Sequence, residues 1–156
     1  LGSELSPIAI RDFFEERGLQ PARTTGGHFT RHAAGAYELL EGDALDLTPD
    51  ILGPVDAVYD RAALVALPPD MRASYADSMA RLLPSGVPML LIAFEYPQEM
   101  RGGPPFSVDA REVSALFEPA FTVTELERRD VIAESPKFAE LGIPALHEIA
   151  YSVTRH

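Results

Sequence analysis

An apolar, β-prone run, Val55-Asp56-Ala57-Val58-Tyr59, ends in the charged pair Asp60-Arg61. A buried strand with that ending delivers two charges to the edge of a sheet. In open α/β sheets that edge is where ligands bind. An arginine held there needs a partner or a ligand, because an unpaired charge away from water is costly. A second run, Met89 to Phe94, is continuously apolar with turn residues on both sides. It reads as a central strand.

Helical signals alternate with these strands. Ser6-Pro7 supplies an N-cap and a first-turn proline, Ile10, Phe13 and Phe14 give an apolar stripe, and Gly18 stops the helix. The clearest helix spans Asp70 to Leu83, with Pro68-Pro69 at its start and Met71, Tyr75, Met79 and Leu82 on one face. Asp109 with Glu112 suits a capping box that opens a short helix carrying Val113, Leu116 and Phe117. Thr48 to Leu52 reads as one helical turn. Phe29 to His32 and Ala36 to Leu40 flank Ala33-Ala34-Gly35 as a hairpin or two short strands, and Thr24 to Gly27 reads as a loop. Phe121 to Leu126 and Ala145 to Val153 alternate as strands, joined by a polar connection from Asp130 to Ile143. Helices alternating with buried strands imply an α/β layered fold. The last two strands, with no helix between them, imply an antiparallel edge.

The 156 residues suit one domain, and 46% hydrophobic residues are enough for a core. A formal net charge of -11 argues against nucleic acid or an anionic membrane as the main partner. The chain has no cysteine, which excludes disulfides, thiolate zinc sites and cysteine nucleophiles and fits a cytosolic setting. No run is long enough to span a bilayer. His28, His32, His147 and His156 show no metal-ligand spacing. No nucleophile elbow or phosphate-binding loop is present.

Five residues are the site candidates. Glu4, an acid at the end of a first strand, suits a ribose hydroxyl pair, or else the dipole of the helix behind it. Asp43 and Ala44 follow the second hairpin strand and suit an adenine, or else a plain turn. Arg61 is either a functional cation or half of an ion pair with Asp60 or Asp56. Gly102-Gly103-Pro104-Pro105-Phe106 is a stiff loop with an aromatic tip. It suits a flat ligand, or else Phe106 is a core residue.

Several segments line up in order: Gly2-Ser3-Glu4-Leu5-Ser6, Asp60-Arg61-Ala62-Ala63-Leu64-Val65-Ala66-Leu67-Pro68, Tyr75-Ala76-Asp77, Gly103-Pro104-Pro105-Phe106-Ser107-Val108 and Glu134-Ser135-Pro136-Lys137-Phe138. Together they resemble the thiopurine S-methyltransferase family, bacterial branch, over essentially the whole chain. The resemblance implies a Rossmann-like class I methyltransferase fold, with a mostly parallel twisted sheet and an antiparallel C-terminal edge strand. It implies methyl transfer from S-adenosyl-L-methionine to the sulfur or selenium of a small thiol-type acceptor such as a thiopurine. Glu4 would then bind the cofactor ribose, and Asp43 and Ala44 would lie at the adenine. Arg61 would be the catalytic and acceptor-binding residue, and Phe106 would sit in the loop over the acceptor pocket. A small-molecule acceptor, no nucleic acid or membrane partner, a cytoplasmic location and a monomer are expected. The family's first strand and cofactor loop precede the equivalent of Leu1, so residues 1–156 read as a single, N-terminally incomplete domain. Two alternatives stand beside this. One is a non-catalytic Rossmann-like binding module, and the other a same-fold methyltransferase with a metalloid or halide acceptor.

Overall fold

The computed structural model describes residues 1–156, which divide into two compact units, Leu1–Thr48 and Pro49–His156.

The first unit contains β1 (Gly2–Glu4), α1 (Pro7–Glu15), β2 (Ala22–Gly26), β3 (Phe29–Ala34) and β4 (Tyr37–Glu41). The strands form one sheet in the order β1-β4-β3-β2, with β1 parallel to β4 and the other pairs antiparallel. Ser6 caps α1 as expected, its side chain accepting from the Ala9 N–H at 3.2 Å, with Pro7 in the first turn. The helix buries Ile10 and Phe14, and the sheet contributes Phe29 and Leu40 to the core.

The second unit contains α2 (Pro49–Leu52), β5 (Val58–Arg61), α3 (Pro69–Leu82), β6 (Pro88–Glu95), α4 (Ala110–Phe117), β7 (Phe121–Asp130), α5 (Pro136–Ala139) and β8 (His147–Arg155). Its sheet runs β5-β6-β8-β7. β5 is parallel to β6, and β8 runs antiparallel to both β6 and β7. Met89, Leu91 and Ala93 of β6 share a buried face with Ile149, Tyr151 and Val153 of β8. Tyr75, Met79 and Leu82 of α3 and Val113 and Phe117 of α4 are buried as their spacing requires, while Met71 stays exposed. No helix is long and apolar enough to cross a membrane.

The α/β class, the hairpin of β3 and β4, the central β6 and the antiparallel C-terminal pair all follow the sequence reading. Four details depart from it. The sheets are mixed rather than mostly parallel: the short turns joining β2, β3 and β4 allow only antiparallel pairing, and β8 runs antiparallel to both β6 and β7. The edge strand is β7, not the C-terminal β8. Glu125, Glu127, Arg128, Arg129 and Asp130 make β7 a charged strand that tolerates an edge, while β8 is paired on both sides. β2 replaces the loop expected at Thr24 to Gly27; all its side chains are exposed, so it carries no apolar alternation to read. The polar connection after β7 holds a small core of its own, in which Tyr96, Val131, Phe138, Ile143 and Leu146 pack together.

Candidate active site

In the first unit, β1 and β4 run parallel and end side by side, Glu4 in register with Glu41. The Glu4 carbonyl accepts from the Gly42 N–H at 3.0 Å, which brings Glu4 against the start of the segment carrying Asp43 and Ala44. A Cβ on Gly42 would lie 2.4 Å from the Phe29 ring, so only glycine lets the chain turn here. The three candidates of this unit therefore share the carboxyl ends of two parallel strands, the usual ligand edge of an α/β sheet.

Both acids also do local work. One Glu4 carboxylate oxygen accepts from the Ser6 N–H at 2.7 Å, fixing the start of α1. Asp43 caps the single turn Ala44–Asp46, its carboxylate accepting from the Leu45 N–H at 2.9 Å. Both local alternatives read from the sequence are thus realised. They use one oxygen of each carboxylate, so the second Glu4 oxygen remains an acceptor for a ribose hydroxyl. A carboxylate acceptor beside one polar and one apolar residue fits the nucleoside half of S-adenosylmethionine.

In the second unit, β5 ends in Asp60 and Arg61, whose side chains point to opposite faces. Asp60 is 3% exposed and turned inward. Arg61 is turned outward, with 59% of its side chain exposed, and its guanidinium lies 3.5 Å from Glu148 on β8. Neither Asp60 nor Asp56 is its partner, contrary to the ion pairs considered from the sequence.

Asp60 organises the turn behind Arg61. It accepts from the Tyr75 hydroxyl at 2.8 Å and from the N–H groups of Ala63 and Leu64 at 3.0 and 3.4 Å. Burial pushes the Asp60 carboxyl up from its ordinary range, and these hydrogen bonds oppose that push. Burial and the adjacent carboxylate drive the Tyr75 hydroxyl well above the usual tyrosine range.

Phe106 is half-buried rather than a full core residue. Its N–H donates to the Val65 carbonyl at 2.6 Å. The Arg72 guanidinium lies 5.7 Å from its ring centroid. The loop before it is knit by Tyr96, whose hydroxyl donates to the Pro105 carbonyl at 2.6 Å, and by Gln98, which accepts from the Ser107 N–H at 2.7 Å. Gly103 has φ +75°, and a Cβ there would lie 2.4 Å from the Phe106 ring.

Sequence reasoning missed Tyr75 and Arg72 as parts of this arrangement. Tyr75 looked like one more apolar position of α3. Arg72 is 2% exposed and donates to Glu112 at 2.7 Å and to the Leu67 carbonyl at 3.1 Å. Asp109 caps α4 as expected, but the Glu112 carboxylate turns to Arg72 instead of closing a capping box. A cavity of about 410 Å³ lies nearby, lined by Arg72, Glu95, Tyr96, Gln98, Ser107 and Glu112 among others. Neither Arg61 nor Phe106 lines it, and its acids outnumber its one arginine, so it is a poor anion site.

Two solved structures share this fold. The YcgJ protein from Bacillus subtilis superposes with a TM-score of 0.68 at 12% identity, over 99% of this chain and 81% of that one. A protein from work on converting a disulfide bond into a thioacetal group during echinomycin biosynthesis gives 0.57 at 19% identity, over 99% of this chain and 66% of that one. The shared architecture is an α/β fold with helices packed on mixed sheets.

The sequence pattern of thiopurine S-methyltransferase (TPMT) matches residues 1–156. A thiopurine S-methyltransferase from Xanthomonas axonopodis pv. citri is 46% identical over 155 residues, 99% of this chain and 71% of that protein. One from Methylococcus capsulatus is 48% identical over 152 residues, 97% of this chain and 68% of that protein. The chain belongs to the thiopurine S-methyltransferase family, and by that membership it is a methyltransferase enzyme.

Proposed function

We propose that the protein transfers a methyl group from S-adenosylmethionine to the sulfur or selenium of a small thiol-type acceptor, a thiopurine being the model case. The observation that carries this reading is the end of β5, where an exposed, permanently charged Arg61 stands beside a buried, hydrogen-bonded Asp60 at the carboxyl end of a strand parallel to its neighbour, the usual place for a ligand in an α/β sheet.

S-adenosylmethionine, when bound, would supply a methyl carbon on a cationic sulfur; the acceptor thiolate would bond to that carbon in line as its bond to the sulfonium breaks, with S-adenosylhomocysteine as the neutral leaving group. Glu4, through its second carboxylate oxygen, accepts from the ribose hydroxyls. Asp43 and Ala44 flank the adenine, one polar and one apolar neighbour. Arg61 favours the ionised form of the acceptor thiol and steadies its charge until the sulfur reacts. Glu148, shared with Arg61, moderates that charge. Phe106 offers a ring face to a flat heterocycle on a loop whose backbone is already ordered, so little entropy is lost on binding. The chemistry needs no covalent enzyme intermediate, in keeping with a chain without cysteine.

The test is methyl transfer to a thiopurine thiol and to its oxygen analogue, alongside calorimetric titration of S-adenosylhomocysteine. The expected result is cofactor binding together with turnover of the thiol alone. Failure of S-adenosylhomocysteine to bind, with no methyl transfer to any thiol, would overturn the proposal.

A further inference from the structure

We propose that Asp60 and Tyr75 are positioning residues: one buried carboxylate, held by a helix hydroxyl, sets both the turn that presents Arg61 and the backbone seat of Phe106. The inference rests on the acceptor-site roles given above to Arg61 and Phe106.

The hydrogen bonds form a continuous path. Tyr75 on α3 donates to one oxygen of Asp60, and the N–H groups of Ala63 and Leu64 converge on the other. Those two amides begin the single helical turn Leu64–Ala66, in which Leu64 and Val65 are buried. The Val65 carbonyl then receives the Phe106 N–H at 2.6 Å. The turn behind Arg61 and the tip of the Gly-Pro loop are thus built on one carboxylate.

Backbone strain marks the same place. Ala62, directly after Arg61, has φ +98°, and no other residue except glycine has a positive φ. An alanine in that region is disfavoured and persists only where its surroundings over-determine it. Here the surroundings are the Asp60 carboxylate on two amides just beyond Ala62. Asp60 itself faces inward, so it acts through the turn and not on a ligand. A core that needed only packing would have no use for a charge here, since a buried carboxylate is tolerated only when its hydrogen bonds are met. Burial raises both titrating groups, which keeps the Tyr75 hydroxyl a donor across the ordinary pH range.

The experiment compares Tyr75→Phe with Met79→Ala, a buried position on the same helix that makes none of these hydrogen bonds. Steady-state methyl transfer gives KM for the thiol acceptor, calorimetry gives S-adenosylhomocysteine affinity, and amide hydrogen exchange reports on Ala63, Leu64 and Phe106. Loss of one hydrogen bond should raise acceptor KM in Tyr75→Phe by about fivefold and speed exchange at all three amides by a similar factor, with S-adenosylhomocysteine affinity unchanged. Met79→Ala should lower the melting temperature while leaving KM and the Phe106 amide as in the wild type. Equal behaviour of the two variants would overturn the inference, as would a protected Phe106 amide in Tyr75→Phe. Should the wild type transfer no methyl group, the proposed function fails, and exchange at Ala63, Leu64 and Phe106 alone decides the positioning role.

Discussion

The Arg61 guanidinium at the end of β5 lies 3.5 Å from the Glu148 carboxylate on β8. β6 separates the two strands, so the pair spans a neighbour. Arg61 is in register with Ile92, Ile92 with Ala150, and Glu148 lies two residues along β8 on the same face. Arg61 is largely exposed and Glu148 half-buried, and a single ion pair of this kind contributes little to folding. Arg61→Met should therefore change stability by less than about 1 kcal/mol, yet lower kcat/KM for a thiol by about 10- to 100-fold. Glu148→Gln should leave Arg61 unshared and move the acid limb of the kcat/KM profile to lower pH. Denaturant titration and pH-dependent kinetics on the two variants check both statements.

Glu4 has two tasks, and substitution separates them. Ser6→Ala removes only the helix cap and should cost about 1 kcal/mol of stability with S-adenosylhomocysteine affinity unchanged. Glu4→Ala should in addition weaken that affinity about tenfold, or about 1.4 kcal/mol. Calorimetric titration of both variants is the measurement. Equal affinities would leave Glu4 a helix-start residue only.

Gly103 controls the seat of Phe106. Its φ of +75° strains any other residue, and a Cβ would lie 2.4 Å from the Phe106 ring. Gly103→Ala should destabilise by about 1–3 kcal/mol, displace the ring and raise acceptor KM. Gly102→Ala, where a Cβ meets nothing within 4 Å and φ is not in the left-handed region, should do neither. Kinetics with the two alanine variants distinguish the loop tip from the loop as a whole.

Asp130 gives the fold an acid-sensitive tie between β7 and β8. Its carboxylate accepts from the N–H groups of Ile132 at 3.0 Å and Leu146 at 3.2 Å. These backbone hydrogen bonds, that of Ile132 first, hold it below the ordinary aspartate value of 3.8. A carboxyl lowered in the folded state stabilises fully above its unfolded value and loses that contribution as pH falls through the folded one. The stability gap between the wild type and Asp130→Asn should therefore be constant near neutrality and close below about pH 4. Denaturation midpoints at a series of pH values measure it. A gap that widened toward acid would contradict the assignment.

Much of the site was legible because its signals are local. The run ending in Asp60-Arg61 and the stiff Gly102–Phe106 loop pointed to two segments that the structure ties together through Val65 and Phe106. Glu4 and Asp43 were readable as acids at strand ends, and the parallel pairing of β1 with β4 places them at one edge. What could not be read was which side chain each charge would meet. Asp60 and Arg61 are adjacent in the chain and take different partners on opposite faces of the sheet. Arg72, in the middle of a helix, carried no sign that it would be buried against Glu112.

Short-range chemistry determined where the elements begin and what they are. Ser6-Pro7 and Asp109 start helices because a side-chain oxygen satisfies free N–H groups within three residues. Met89 to Phe94 forms a central strand as its apolar run implies, although only alternate residues, Met89, Leu91 and Ala93, are fully buried. The ordered motifs together were enough to place the chain in its family. The tertiary structure alone decided that β8 lies inside its sheet and β7 at the edge, that Arg61 meets Glu148, and that Tyr75 turns its hydroxyl to Asp60. Each of these depends on register and packing between segments far apart in sequence. A one-residue slip would move every side chain of a strand to the other face, and no local propensity records that choice.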